Sequence, residues 1–269
     1  MNNINPLAPI GIFDSGLGGL SILNEIHNRL PNENIIYLAD SINAPYGEKS
    51  KEKIIDFSID NTDFLLSKGC KIVVVACNTA TTNAIDMLRN NFDLNFIGIE
   101  PAIKPASLNT QTNQIGVLAT RGTLSSHLFS HKVKILREKV QITEVIGKGI
   151  VEAIENDKTD TVEFYENLSN QLQPFLAANI DYLVLGCSHY PFILDKIQKI
   201  LKDKVQIIDS GFAVAKQTQR ILKRNNLETA NTRPNKNNIK IYTKGSSSKA
   251  LVKILEKLNL EDRYKQIEI

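Results

Sequence analysis

Short apolar runs recur along the chain at Ile10–Phe13, Ile35–Leu38, Ile72–Ala76, Phe96–Ile99, Ile115–Ala119, Tyr182–Leu185, Val205–Ile208 and Ile239–Tyr242. Their length and β-branched content predict strands buried on both faces. Between them lie segments with helical spacing. One apolar stripe is Ile55, Ile59, Thr62 and Leu66, and a second is Val162, Tyr165, Leu172 and Phe175. A third is Ile193, Ile197, Ile200 and Leu201, with Pro191 suited to a first helical turn. Strand–helix alternation of this kind predicts an α/β fold of doubly wound, mainly parallel sheets.

The pattern also repeats. PIGIFDSGLGGL, which starts a strand at Ile10, resembles QIGVLATRGTL, which starts one at Ile115. Later in each half, CKIVVVACNT and IDYLVLGCSH both run a strand into a cysteine, Cys77 and Cys187, at a similar offset. Two related halves follow as the expectation, each ending an equivalent strand in a thiol. The polar stretch NNLETANTRPNKNN, Asn225 to Asn238, reads as an exposed loop. The strand IKIYT and the helix SSSKALVKILEKL beyond it need a sheet to join.

Composition narrows the partners. The chain has 269 residues, 42% of them hydrophobic, enough for one large α/β domain or two small ones. Its 32 basic and 29 acidic residues leave a net charge of +3, too small a field to hold nucleic acid or an anionic membrane. MNNINPLAPI has neither a basic start nor a long apolar stretch, and no segment approaches the roughly 18 apolar residues of a membrane helix. A cytoplasmic protein acting on a small molecule is the expectation. Three scattered cysteines, Cys70, Cys77 and Cys187, make no disulfide framework, and no CxxC or HExxH motif points to a metal. His127 and His131 have the spacing of a metal pair but lack a third ligand nearby, and read as a solvated helix face.

Open parallel sheets bind ligands at the carboxyl ends of their strands, where Cys77 and Cys187 fall. Free cysteine is also among the most buried residue types, so one alone would read as packing. Two at matching strand ends, each followed by polar groups, favour function. Cys70 lies at the opposite end of its strand and is assigned to packing. Asn78 and Thr79, like Ser188 and His189, can either cap a helix or face a ligand. His189 stands two residues beyond Cys187, so both side chains lean the same way and an imidazole can share a proton with a thiol. GIFDSGLGGL sets Asp14 and Ser15 at the first strand end. Leu17 stands where a Walker lysine is required, and Ser21 replaces the third glycine of a dinucleotide fingerprint, so both phosphate readings are weak. What remains is a carboxylate and a hydroxyl on a tight turn. Pro45, Tyr46 and Gly47 form a loop able to offer backbone N–H groups and a phenol.

Taken together, FDSGLGG, PYG, ACNTAT, GVLATRGT and GCSHYP resemble the cofactor-independent glutamate racemases of bacterial cell-wall synthesis, in order from Ile10 to about Gly211. The resemblance implies two pseudo-symmetric α/β domains facing across a central cleft, 1–99 with 210–269 and 100–209. It implies interconversion of L- and D-glutamate for peptidoglycan, with Cys77 and Cys187 as opposed bases, Asp14 assisting the first and His189 the second. Substrate contacts fall to Asp14, Ser15, Tyr46, Gly47, Asn78, Thr79, Ser188 and His189, with Thr120 and Thr123 as further candidates. No cofactor and no metal are expected, since no lysine stands at either cysteine-bearing strand end to anchor pyridoxal phosphate. The sequence carries no signal for assembly, and a homodimer is the state to test. Ser188 stands where the family usually has threonine, which leaves aspartate or broad-specificity racemisation as the alternative. A non-catalytic module binding a small anion is the alternative from another class. Glu155 aligns with an acidic helper residue, with Glu152 beside it, although Gly147 and Lys148 replace the Cys-Pro usual before it.

Overall fold

A computed structural model describes residues 5–229, 238–245 and 249–269. Most of the loop expected at Asn225–Asn238, the serines expected to begin the last helix, and the first four residues lie outside the described residues.

In chain order the elements are β1 (Ile10–Asp14), α1 (Leu20–Arg29), β2 (Ile35–Ala39), α2 (Lys51–Ser67), β3 (Ile72–Val75), α3 (Asn78–Asn91) and β4 (Phe96–Gly98). There follow α4 (Ile103–Asn109), β5 (Gln114–Ala119), α5 (Arg121–Leu124), α6 (His127–Leu136), β6 (Gln141–Ile146), α7 (Ile150–Glu155), α8 (Val162–Ala177), β7 (Tyr182–Gly186), α9 (Leu194–Leu201) and β8 (Gln206–Ile208). The chain continues through α10 (Gly211–Arg224), β9 (Ile239–Thr243), α11 (Lys249–Lys257) and β10 (Tyr264–Glu268).

Two sheets result, ordered β10-β9-β2-β1-β3-β4 and β6-β5-β7-β8. Every strand pairing in them is parallel. The order β2-β1-β3-β4 in the first is the order β6-β5-β7-β8 in the second, so the repeat seen in sequence is a repeat of topology. β3 and β7, which lead into Cys77 and Cys187, are equivalent strands. Both sheets are α/β layers with helices on either face, the architecture in which strand ends converge on a cleft. The chain crosses from the first sheet to the second after β4 and returns after β8. The two crossings are tied where the Ser210 hydroxyl donates to the Glu100 carbonyl.

All eight expected strands are present. β6 and β10 were not expected: both are edge strands whose side chains are partly or fully exposed, so they lack an apolar run. IKIYT, now β9, joins β2 on one side and β10 on the other.

Two helical stripes are corrected. In α2 Thr62 is buried as expected, but the rest of the buried line is Ile54, Ser58, Asn61 and Leu65, one step from the expected Ile55, Ile59 and Leu66. Its polar members are buried because they are bonded: Ser58 Oγ donates to Ile54 O at 2.6 Å and Thr62 Oγ1 to Ser58 O at 2.7 Å. In α8, Val162 and Tyr165 are 76% and 43% exposed, while Phe164 and Leu168 join Leu172 and Phe175 in the core. The α9 stripe holds, with Ile193, Ile197 and Leu201 buried. Pro191 sits in the first turn of a short 3-10 helix, Tyr190–Ile193, that leads into α9.

Candidate active site

Cys77 ends the β3 segment and caps α3 with its own side chain, accepting the Ala80 N–H at 3.5 Å. Asn78 is therefore not the cap. Its amide is only 2% exposed, yet neither Oδ1 nor Nδ2 has a hydrogen-bond partner among the described residues. Buried polar atoms left open in this way cost free energy unless something else fills them, which marks them for a ligand.

The Cys77 thiol lies 3.6 Å from Ser15 Oγ. Its pKa is pushed up to about 12, by burial first, then by the charge of Asp14 and, more weakly, that of Cys187. Asp14, at the end of β1, is fully buried; it accepts Gly16 N–H at 3.1 Å and the Ser188 hydroxyl at 3.0 Å. Burial raises its pKa, Glu155 adds to that, and His189, Ser188 and the Gly19 backbone oppose it.

Cys187 Sγ lies 3.8 Å from His189 Nδ1, and His189 Nε2 lies 2.6 Å from Glu155 Oε1. Burial works against the imidazolium, but bonds to Cys187 and Glu155 outweigh it, and the His189 pKa rises well above its ordinary value. Of the two acidic residues in the helper segment, Glu155 is the one that reaches His189; it also accepts the Leu17 N–H at 2.6 Å.

The glycine-rich turn after β1 has a packing explanation. A Cβ on Gly16 would stand 2.1 Å from Glu155 Oε1, and one on Gly18 would stand 2.2 Å from His189 Nδ1. The turn is bare so that the second half can approach, and no phosphate need be invoked.

On the other side of the cleft Thr79, Thr120 and Thr123 form a hydroxyl triad, with Thr79 to Thr120 at 2.8 Å, Thr79 to Thr123 at 3.3 Å and Thr120 to Thr123 at 3.1 Å. Gly47 packs against Thr120. The Tyr46 hydroxyl donates to the buried Asp40 carboxylate and accepts from Asn61 Nδ2 at 3.0 Å. The phenol is therefore engaged within its own half and is not a free group. Asp40 also holds Asn43 at 3.0 Å and lies 3.5 Å from the Lys244 ammonium, which itself donates to Asn61 at 2.6 Å. Asp40 and Asn61 went unnoticed in sequence, although Asp40 follows its strand as directly as Asp14 does.

Cys70 packs beneath Gly11 at the far end of β3, and burial pushes its thiol up to about 12. His127 and His131 are exposed on α6, rings 6.2 Å apart. Among the described residues no group of three His, Cys, Asp or Glu is placed to hold a metal, and no helix is long and apolar enough to cross a membrane.

A family model described as Asp/Glu/hydantoin racemase matches residues 10–218. A glutamate racemase of Cupriavidus pinatubonensis is 44% identical over 230 residues, spanning 86% of this chain and 84% of that protein. The structure of Escherichia coli glutamate racemase in complex with L-glutamate and an activator aligns with a TM-score of 0.83 at 29% identity, over 97% of this chain and 98% of that one. The Francisella tularensis enzyme in complex with D-glutamate aligns with a TM-score of 0.83 at 29% identity, over 98% of this chain and 97% of that one.

Proposed function

Because the chain belongs to the Asp/Glu/hydantoin racemase family, we propose that it interconverts L- and D-glutamate with Cys77 and Cys187 as opposed bases. The observation that carries this reading is the pair of thiols at the ends of equivalent strands, with Ser15 Oγ beside one and His189 Nδ1 beside the other.

Inversion at an α-carbon removes a proton from one face and delivers one to the other, so two groups must flank one atom. In each turnover one sulphur begins as thiolate and the other as thiol. A base strong enough for a weakly acidic C–H is what burial supplies at Cys77. The substrate ammonium, entering beside Asp14, offsets the charge that holds this thiol protonated and favours its ionisation when the site is filled. On the opposite face His189 exchanges a proton with Cys187 and is oriented by Glu155.

Substrate binding falls to Asp14, Ser15, Asn78, Thr79, Ser188, His189 and the backbone at Tyr46 and Gly47. The open amide of Asn78 supplies donor and acceptor together. Carbanion character is stabilised by these fixed donors in a site closed to water. Both proton transfers use the chain's own thiols, so the mechanism needs no cofactor. We take the domains as 1–99 with 210–269, and 100–209. The enzyme works in the cytoplasm, supplies D-glutamate for peptidoglycan, and assembles as a homodimer, which sedimentation velocity would read.

The test is solvent exchange. In deuterium oxide the protein should move deuterium onto the α-carbon of both glutamate enantiomers, and Cys77→Ala or Cys187→Ala should abolish racemisation. Absence of exchange on every amino acid offered would reject the enzyme reading. Aspartate belongs in the same panel, because Ser188 lacks the methyl of a threonine.

A further inference from the structure

We infer that Glu155 and the cavity beside it form the port through which Cys187 exchanges its proton with solvent between turnovers. This rests on the two-thiol reading above and extends it to a step that reading leaves open. After one inversion the thiol and thiolate have changed places. Net conversion of a single enantiomer therefore requires the pair to be reset before the next molecule binds.

A route for that proton is laid out on one side of the cleft. It runs from Cys187 Sγ over 3.8 Å to His189 Nδ1, through the ring, and from Nε2 over 2.6 Å to Glu155 Oε1. Position Nε2 is served in both protonation states. When it carries a proton it donates to Glu155; when bare it can accept the Gly18 N–H, which stands 3.2 Å away. A nitrogen with an acceptor and a donor both in reach suits transfer better than a fixed hydrogen bond does.

The route ends at open space. His189 is 1% exposed, but the Glu155 side chain is 14% exposed and lines a cavity of about 240 Å³ with Leu17, Ser41, Glu152, Asn156 and Thr243. At roughly 30 Å³ for each water, that volume takes several. Half of the residues that line it carry polar side chains, Ser41, Glu152, Asn156 and Thr243 together with Glu155, so the cavity suits water. Among the described residues no comparable relay leaves Cys77: its hydrogen-bond partners are the buried Ser15 Oγ and the Ala80 N–H, so it meets water only when the cleft itself is empty.

The proton count balances. Cys187 S–H gives its proton to Nδ1, Nε2–H passes one to Glu155, and Glu155 releases one to water in the cavity. Sulphur is left as thiolate facing Nδ1–H, and the bare Nε2 takes the Gly18 N–H. Cys77 thiolate takes a proton from the emptied cleft, and nothing is oxidised or reduced.

Two fluxes separate this role from ordinary positioning. Net conversion of one enantiomer at saturation passes through the reset every turnover, whereas in an equilibrium mixture the opposite enantiomer resets the pair. Glu155→Gln should lower net flux at least tenfold more than it lowers labelled exchange at equilibrium, and added formate should restore part of the net flux. Glu152→Gln, in the same wall but away from His189, should leave the ratio unchanged. Should Glu155→Gln not fold, Ser41→Leu, which fills the cavity from its rim, should shift the ratio in the same direction. Equal loss of both fluxes in the variant would overturn the port. The ratio is defined only in a protein that racemises, so its failure is distinct from failure of the activity itself.

Discussion

Ser188 Oγ donates to Asp14 Oδ1 at 3.0 Å, so the loop after β7 holds the carboxylate at the end of β1 from across the cleft. Removing a hydrogen bond to a buried charged group costs about 1.5–3 kcal/mol. Ser188→Ala should therefore lower kcat/KM by about tenfold to a hundredfold, at about 1.4 kcal/mol per decade. Ser188→Thr keeps the hydroxyl and should retain most of the activity. Equal loss in both variants would mean that packing, not the bond to Asp14, is what Ser188 provides.

The same pair shows how far the sequence could be read. Strands buried on both faces announce themselves as apolar runs, and cysteines at two matching strand ends announce a cleft. The edge strands β6 and β10 do not, whereas β4 and β8, also at edges, keep an apolar run. β6, QITEVI, has its side chains half out in solvent, and only the repeat could have found it, since it stands beside β5 as β2 stands beside β1. Pairings such as Ser188 with Asp14, or His189 with Gly18, join residues far apart in the chain, and no local pattern encodes them. The α2 stripe departs from the expected line everywhere but at Thr62, because Ser58 and Asn61 are buried by hydrogen bonding, to which a hydrophobic pattern is blind.

Asp14 also sets a conflict between stability and function. Its pKa in the folded protein lies above the ordinary value of 3.8, chiefly through burial. The neutral form is thus favoured by folding: that contribution is full below pH 3.8 and is lost as pH rises through the folded pKa. Above the folded pKa the protein carries a buried carboxylate at a cost. Asp14→Asn should raise Tm at pH 7, by about 2–4 °C for each kcal/mol relieved, and the gain should vanish in melts below about pH 4. Activity should fall in the same variant, because the field and the substrate contact at Cys77 are gone. A Tm difference independent of pH would reject the assignment.

Far from the cleft, Lys71 and Glu33 form a buried pair at 2.5 Å, and the ammonium also donates to Pro6 O at 2.6 Å and Leu227 O at 2.8 Å. It ties the segment before β1 and the stretch after α10 to the start of β3. Glu33→Ala leaves a buried cation without its partner, and a loss of about 3–5 kcal/mol is expected in denaturant melts. The double variant Glu33→Leu with Lys71→Met removes both charges and should be more stable than Glu33→Ala. The reverse order would show that the carbonyl contacts of Lys71 outweigh the ion pair.

The Tyr46 hydroxyl is spent on Asp40, so on the proposed function any contact of Tyr46 with substrate falls to its backbone. That carboxylate is wholly buried, with Tyr46, Asn43 and Asn61 donating to it and the Lys244 ammonium as countercharge. Tyr46→Phe removes one donor and leaves the ring in place, so the loop shifts while the thiols and His189 stay put. A contact made equally in ground and transition states raises KM when lost and spares kcat. KM should therefore rise about fivefold to tenfold, roughly 1–1.4 kcal/mol, with kcat within about twofold. Lys244→Met should move KM in the same direction, since it withdraws the countercharge and the bond to Asn61, and Lys244→Arg should restore it. A fall in kcat at unchanged KM would instead place the Tyr46 hydroxyl on the reacting atoms, against the bond to Asp40 that the structure gives it.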